Sequence, residues 1–284
     1  MLDWYYFYHG LAANDWFRDA RYLATDHRPS KVFCSYNHIV KHKRSYRMAM
    51  TAKLLQAGLA NQGDISFHGT VDDCARELLD ANSELDHVDK SLIDAVLVRG
   101  GVTLPMLVDH ATIDASFSAR FGHQEYQLWQ RAFLHLVNET VFYDDKLHLT
   151  EKVFKPIVAL RPFILVAAPG NLSYLKRYGF RTFEPWIDES YDQEPDHTAR
   201  LQMIVEQVQR LCALSSSQLQ AMHSDMQDTL RFNKQHFFGN FLDSVVDELV
   251  DNFDACIRVW NNGRLDPDRI LNRNRDIETV KNIL

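Results

Sequence analysis

Two clusters of charged and polar residues carry the chemistry this chain could do. The first is Thr150-Glu151-Lys152, an acid and a base side by side at the start of a predicted helix. The apolar run Phe163–Ala168 follows and ends in Pro169-Gly170, so the segment reads as loop, helix, turn, strand, loop. The second begins where the apolar Val32-Phe33-Cys34 gives way to Ser35-Tyr36-Asn37, and continues through Lys43 and Arg44 to Arg47. Both clusters fall at the carboxyl end of a predicted strand or the start of a predicted helix. In open parallel sheets, ligands bind there.

A phosphate ester bound at such a place needs cations and backbone N–H groups, best presented at a helix start. A ribose diol needs a carboxylate that accepts two hydrogen bonds. Asn37, Lys43, Arg47, Thr150 and Lys152 suit the first task, and Glu151 suits the second. A threonine before an acidic residue is also an ordinary helix cap, and a basic loop such as 41–44 is commonly a solvated face. His9, Asp15 and Glu139 are candidate general bases: His9 precedes Gly10 after a predicted strand, Asp15 sits at a predicted helix start, and Glu139 follows an apolar run. Glu139 reads rather as a group that organises the loop or the ligand site.

The elements that must hold these residues follow from periodicity. Strands are predicted at 4–8, 31–36, 64–67, 133–142, 163–168 and 180–183. Helices are predicted from Asn14 towards Leu23, then at 46–60, 71–81, 90–98, about 150–160 and 171–178. Gln124 begins an aromatic stretch that could open another. From Thr198 onward the pattern is mostly helical, with a long segment 216–260 that Phe237-Phe238-Gly239 interrupts. Repeated strand-loop-helix units imply an α/β fold on a parallel sheet. The expected organisation is a short N-terminal segment 1–30, an α/β domain 31–195, and a helical region 196–284 packed on it.

Composition narrows the function classes. With 284 residues and 46% apolar residues, the chain can bury a large core. No window is apolar enough for a bilayer span, and the start Met1-Leu2-Asp3-Trp4 lacks a basic secretory lead. Cys34, Cys74, Cys212 and Cys256 form no CxxC pair, which points to free thiols in a cytoplasmic setting. A net charge of −7 without a long basic run weighs against a nucleic-acid partner. No metal site is expected. Asp266-Pro267-Asp268 reads as a turn, Asp144-Asp145 as a loop, and the histidines, His223 and His236 included, show no paired spacing.

Val32-Phe33-Cys34-Ser35-Tyr36-Asn37 with Arg47 opening a helix resembles the Ser-Asn-x…Arg segment of the fucosyltransferase family. Leu149-Thr150-Glu151-Lys152-Val153-Phe154-Lys155-Pro156 and its continuation to Leu165 resemble that family's Val-Thr-Glu-Lys helix and following strand. His9-Gly10, Asp15-Trp16-Phe17-Arg18, Arg44-Ser45-Tyr46-Arg47 and Tyr174-Leu175-Lys176…Phe183 are similar to segments of viral and bacterial glycosyltransferase-like proteins. The resemblance spans about residues 5–192. It implies a Rossmann-like, GT-B-type donor lobe and a metal-independent glycosyltransferase without a resident cofactor. The partners it implies are a nucleoside diphosphate sugar as donor and a glycan or other hydroxyl acceptor. The diphosphate would lie near Arg47 and Lys152, and the ribose near Glu151. In fucosyltransferases a full acceptor lobe precedes the Ser-Asn-x segment. Here about thirty residues do, which leaves the base unassigned. Two other readings stay open: a donor-domain-like binding module without catalysis, and a viral enzyme that glycosylates modified DNA bases.

Overall fold

The computed structural model describes residues 8–23, 29–108 and 123–260. Its centre is a parallel four-stranded sheet formed by β1 (Lys31–Asn37), β2 (Gly63–Phe67), β3 (Ala132–Asn138) and β4 (Phe163–Val166), in the order β2-β1-β3-β4. β2, β3 and β4 are buried at every position, as expected of strands covered on both faces. Helices α2 (Tyr46–Gln56) and α3 (Val71–Leu79) follow β1 and β2, and α5 (His123–Gln130) leads into β3. The short α6 (Phe154–Val158) and α7 (Asn171–Arg177) flank β4. α4 (His87–Ile93) runs on into a π-helical turn, Asp94–Val98. The fold is α/β and Rossmann-like, with a helical C-terminal region: α8 (His197–Cys212), α9 (Ser216–Asp225), α10 (Gln227–Phe237) and α11 (Asn240–Trp260). α8 packs on β1 and β4, and α10 packs on α6, so the C-terminal helices share the sheet's core. Among the described residues no helix is long and apolar enough to cross a membrane. Cys34, Cys74 and Cys212 are free thiols, and the side chain of Cys256 lies outside the described residues.

Several elements differ from their sequence expectation for identifiable reasons. Phe180–Phe183 is not a strand. Its backbone is satisfied by side chains instead: Arg181 N donates to Asn233 Oδ1 (2.8 Å), Asn233 Nδ2 donates to Arg181 O (2.8 Å), and Phe183 N donates to Glu189 Oε1 (2.6 Å). Phe180 and Phe183 still anchor the segment in the core. His9-Gly10 is not a turn but part of α1 (Tyr8–Trp16), which starts and ends earlier than predicted; of the predicted strand 4–8, residues 4–7 lie outside the described range. Gly10 serves close packing, since a Cβ there would come within 2.9 Å of the Phe241 ring on α11. The predicted helix 46–60 stops at Gln56, and Gly58 turns the chain with φ +74°. The predicted helix 150–160 is a 3-10 turn, Glu151–Val153, joined to α6. Pro156 fits its first turn, and Leu160 leaves with φ +54°.

Near the amino ends of β3 and β4 lies a polar cluster. Arg161 is fully buried; its Nη2 donates to Gln130 O (2.7 Å) and its Nη1 lies 3.3 Å from His223 Nε2. His223 is buried there as well. His135 Nε2 contacts Trp129 O at 2.6 Å. Burial pushes the imidazole of His135 down to about 4, the charges of Arg161 and Lys155 push the same way, and the Trp129 carbonyl opposes them.

Candidate functional site

The strand order creates one reversal of direction. From β1 the chain steps outward to β2, then crosses back to β3 on the other side of β1 and steps outward again to β4. The switch point is therefore the seam between β1 and β3, whose carboxyl ends are Asn37 and Asn138. Both asparagines are buried, and both donate Nδ2 to Ser35 Oγ, at 3.1 and 3.0 Å. Neither Oδ1 has a hydrogen-bond donor among the described residues.

Arg47, in the first turn of α2, crosses this seam. Only 4% exposed, it donates Nη2 to Asn138 O (2.7 Å) and Glu139 O (3.0 Å), Nη1 to Ile39 O (2.8 Å) and Nε to Tyr46 Oη (3.2 Å). The guanidinium thereby ties α2 to the end of β3 rather than standing open to a ligand. Tyr46 Oη donates to Glu139 O as well. Arg44, one turn earlier, is half-buried. Burial lowers its pKa, as does the charge of Arg47, while nearby Glu151 opposes the shift.

Glu139 is the hinge between the two clusters. It has no exposed surface, and its carboxylate accepts from Thr150 N (3.0 Å), Thr150 Oγ1 (2.6 Å) and Thr140 N (3.3 Å). β3 ends at Asn138, short of the predicted strand 133–142, although Glu139 N still donates to Val166 O (3.0 Å) and Ala168 N to Val141 O (3.1 Å). With both oxygens engaged, Glu139 organises the loop and is not positioned as a free base. Thr150 in turn caps the 3-10 turn and accepts from Lys152 Nζ (3.0 Å), which also lies 3.5 Å from Glu151 Oε1. Glu151 is 5% exposed, and the Lys152 side chain is 28% exposed. Arg47, Glu139, Thr150, Glu151 and Lys152, distant in sequence, thus form one connected group, with Asn37 beneath it through Ser35 and Asn138.

Other predicted residues lie elsewhere or at the margin. The exposed Lys43 pairs with Glu84. Asp15 is exposed and bonds Arg18 at 2.6 Å. Its helix α1 packs against Glu151–Val153, which brings the helix bearing His9 and Asp15 to the edge of the site; the His9 side chain lies outside the described residues. Asp266-Pro267-Asp268 also lies outside them. His42, Glu77 and Asp80 offer ligand-type atoms within 4.8 Å of one another. There Glu77 accepts from His42 N (3.0 Å) and Ser83 Oγ (2.9 Å) and closes the β1–α2 loop onto α3.

Three features were missed as individual site residues. Arg44 lay hidden in the basic run. Ser45 Oγ and Tyr143 Oη form a 3.0 Å pair at the start of α2. His38 and His68 place their rings 4.7 Å apart. Each of these histidines directly follows a strand, β1 or β2, and that repeated position was the available signal. Comparison with protein-family models, with curated proteins and with solved structures finds no match.

Proposed function

We propose that this protein is a glycosyltransferase that moves a sugar from a nucleoside diphosphate sugar to a hydroxyl acceptor. The observation that carries the reading is the gathering of Thr150, Glu151, Lys152 and Arg44 beside the switch point between β1 and β3. In this reading Lys152 and Arg44 face the diphosphate. Arg47 and Glu139 hold the frame, since their polar groups are already engaged by the protein. Glu151 takes the ribose hydroxyls. The acceptor proton goes to a separate base, for which His9 and Asp15 on α1 and His38 after β1 are the candidates. Such a base deprotonates the acceptor oxygen as it attacks the anomeric carbon and the nucleoside diphosphate leaves.

The test is a thermal-shift titration of the full chain with uridine, guanosine and adenosine diphosphates, followed by transfer kinetics on the binding nucleotide's sugar. A ligand of the native state raises Tm. Glu151→Gln keeps one acceptor oxygen and loses the charge, so the donor KM should rise roughly tenfold, at least as much as kcat falls. No Tm rise with any of the three nucleotides defeats the reading. Loss of turnover with donor affinity unchanged would make Glu151 the base instead.

A further inference from the structure

A cavity of about 760 Å³ opens beside the first turn of α7. It is separate from the Thr150 group and falls within the size range of small-molecule sites. Leu172 and Ser173 form part of its wall, the stretch 184–190 another, and Gln207 and Arg210 of α8 a third.

The wall is built of flat groups held in place. Trp186 is half-buried; its backbone N–H donates to Phe183 O (2.9 Å), and its backbone carbonyl accepts from Arg210 Nη2 (2.6 Å). Gln207 Oε1 accepts from Arg210 Nε (3.3 Å) and from Asp188 N (3.2 Å). The carboxylate of Asp192 accepts from Leu172 N (2.9 Å) and Ser173 N (3.1 Å), and Gln193 Nε2 approaches Ser173 Oγ at 3.4 Å. The cavity therefore offers an aromatic ring beside fixed carboxylate, amide and guanidinium edges.

Charge decides what fits. The acidic lining residues Glu184, Asp188, Glu189 and Asp192 outnumber the basic Lys176 and Arg210, a balance that repels a diphosphate. Three of the four acids are already partnered: Asp192 by backbone N–H groups, Asp188 by Ser190 N, and Glu189 by Thr182 Oγ1, Phe183 N and Lys176. This lowers the draw for a cation. A neutral pyranose meets every requirement. Its hydroxyls both donate and accept, so they pair with carboxylate oxygens and with amide and guanidinium N–H groups. Its C–H face lies against an aromatic ring, an apolar body with a polar surround.

The cavity also neighbours the Thr150 group through one residue. Asn171, which opens α7, accepts from His148 N (2.6 Å) and donates to Lys146 O (3.2 Å) and Ala168 O (2.9 Å). It thus holds the loop that leads into Thr150, while the next two residues of α7 line the cavity. We infer that this cavity binds a neutral saccharide and that it is the acceptor side of the transferase. The acceptor role rests on the proposed function; the binding does not.

The experiment is saturation-transfer NMR on the full chain without nucleotide, using maltotriose, tri-N-acetylchitotriose and mannotriose as probes. At least one should receive transfer on its ring protons. Trp186→Ala should weaken that binding roughly tenfold or more, Trp186→Phe should retain most of it, and Gln193→Ala, at an exposed position, should weaken it without changing Tm. No transfer to any of the three sugars, or transfer unaffected by both Trp186→Ala and Gln193→Ala, overturns the site. Saccharide binding in a chain whose Tm no nucleoside diphosphate raises overturns the acceptor role alone.

Discussion

The two ends of β3 carry buried arginines with opposite surroundings. Near the amino end, Arg161 is fully buried against the Gln130 carbonyl and His223, and His135 and His223 are themselves each only 5% exposed. At the carboxyl end, Arg47 bonds the Asn138 and Glu139 carbonyls, but the group it supports runs outward through Glu139 and Thr150 to the partly exposed Lys152. Both guanidiniums donate to backbone carbonyls. The difference is that one cluster ends in the core and the other ends at the crevice where parallel sheets bind ligands. A buried polar cluster is thus a structural fastener by itself and a site only where it continues to the surface.

The sharpest way to break this comparison is Arg161→Ala. It leaves a cavity in the core and removes the guanidinium bond to the Gln130 carbonyl, so unfolding free energy should fall by about 4 kcal/mol in a urea melt. Nucleoside diphosphate affinity of the folded fraction should stay the same. Unchanged stability with lost affinity would move the site to the amino end.

Acid should find the same closed end. His135 is held neutral to about 4, whereas the unfolded chain takes that proton near 6.5. The folded state binds fewer protons across that window, so its stability rises with pH there and is lost as pH falls from 6.5 to 4. The full loss from this group is of order 3 kcal/mol, from the shift in pKa. Denaturant melts at steps of half a pH unit, compared with His135→Leu, should show the slope shrink in the variant. An equal slope in both would mean that His135 is not the responsible group.

The smallest effect belongs to the open end. Lys152→Ala should weaken nucleoside diphosphate binding roughly tenfold, about 1.4 kcal/mol, and change stability by less than about 0.5 kcal/mol. Isothermal titration paired with a thermal melt separates the two. A variant that melts early but binds normally would make Lys152 another fastener.

The parallel sheet and the approximate places of its four strands were legible because β1, β3 and β4 contain apolar runs, and because the strand-loop-helix unit places β2, with its alternating Ile65 and Phe67, after α2. Thr150-Glu151-Lys152 was legible because a helix start before a buried strand has a local signature. Arg47's actual role was not, since nothing local says that its donors meet carbonyls some ninety positions away at Asn138 and Glu139. Phe180–Phe183 misled for the same reason. Two phenylalanines supply the apolar signal of a strand, and only the tertiary structure shows that Asn233 and Glu189 satisfy the backbone between them. Glu139 was read both as a candidate base and as a group that organises the loop or the donor site; its bonds to Thr150 and Thr140 are those of a loop organiser, because a carboxylate just past a buried strand must find donors close by.

The strand order also sets when this crevice can exist. β1 and β2 pair across a short interval, with Phe33 beside Gly63, whereas β1 meets β3 with Lys31 beside Ala132, about a hundred positions on. Loop closure on that scale is slow relative to local pairing. During synthesis the β1–β2 unit emerges first, and its seam face waits for β3. A ligand that spans Arg44 and Lys152 therefore staples two halves that fold at different times, and it should slow unfolding more than it speeds folding.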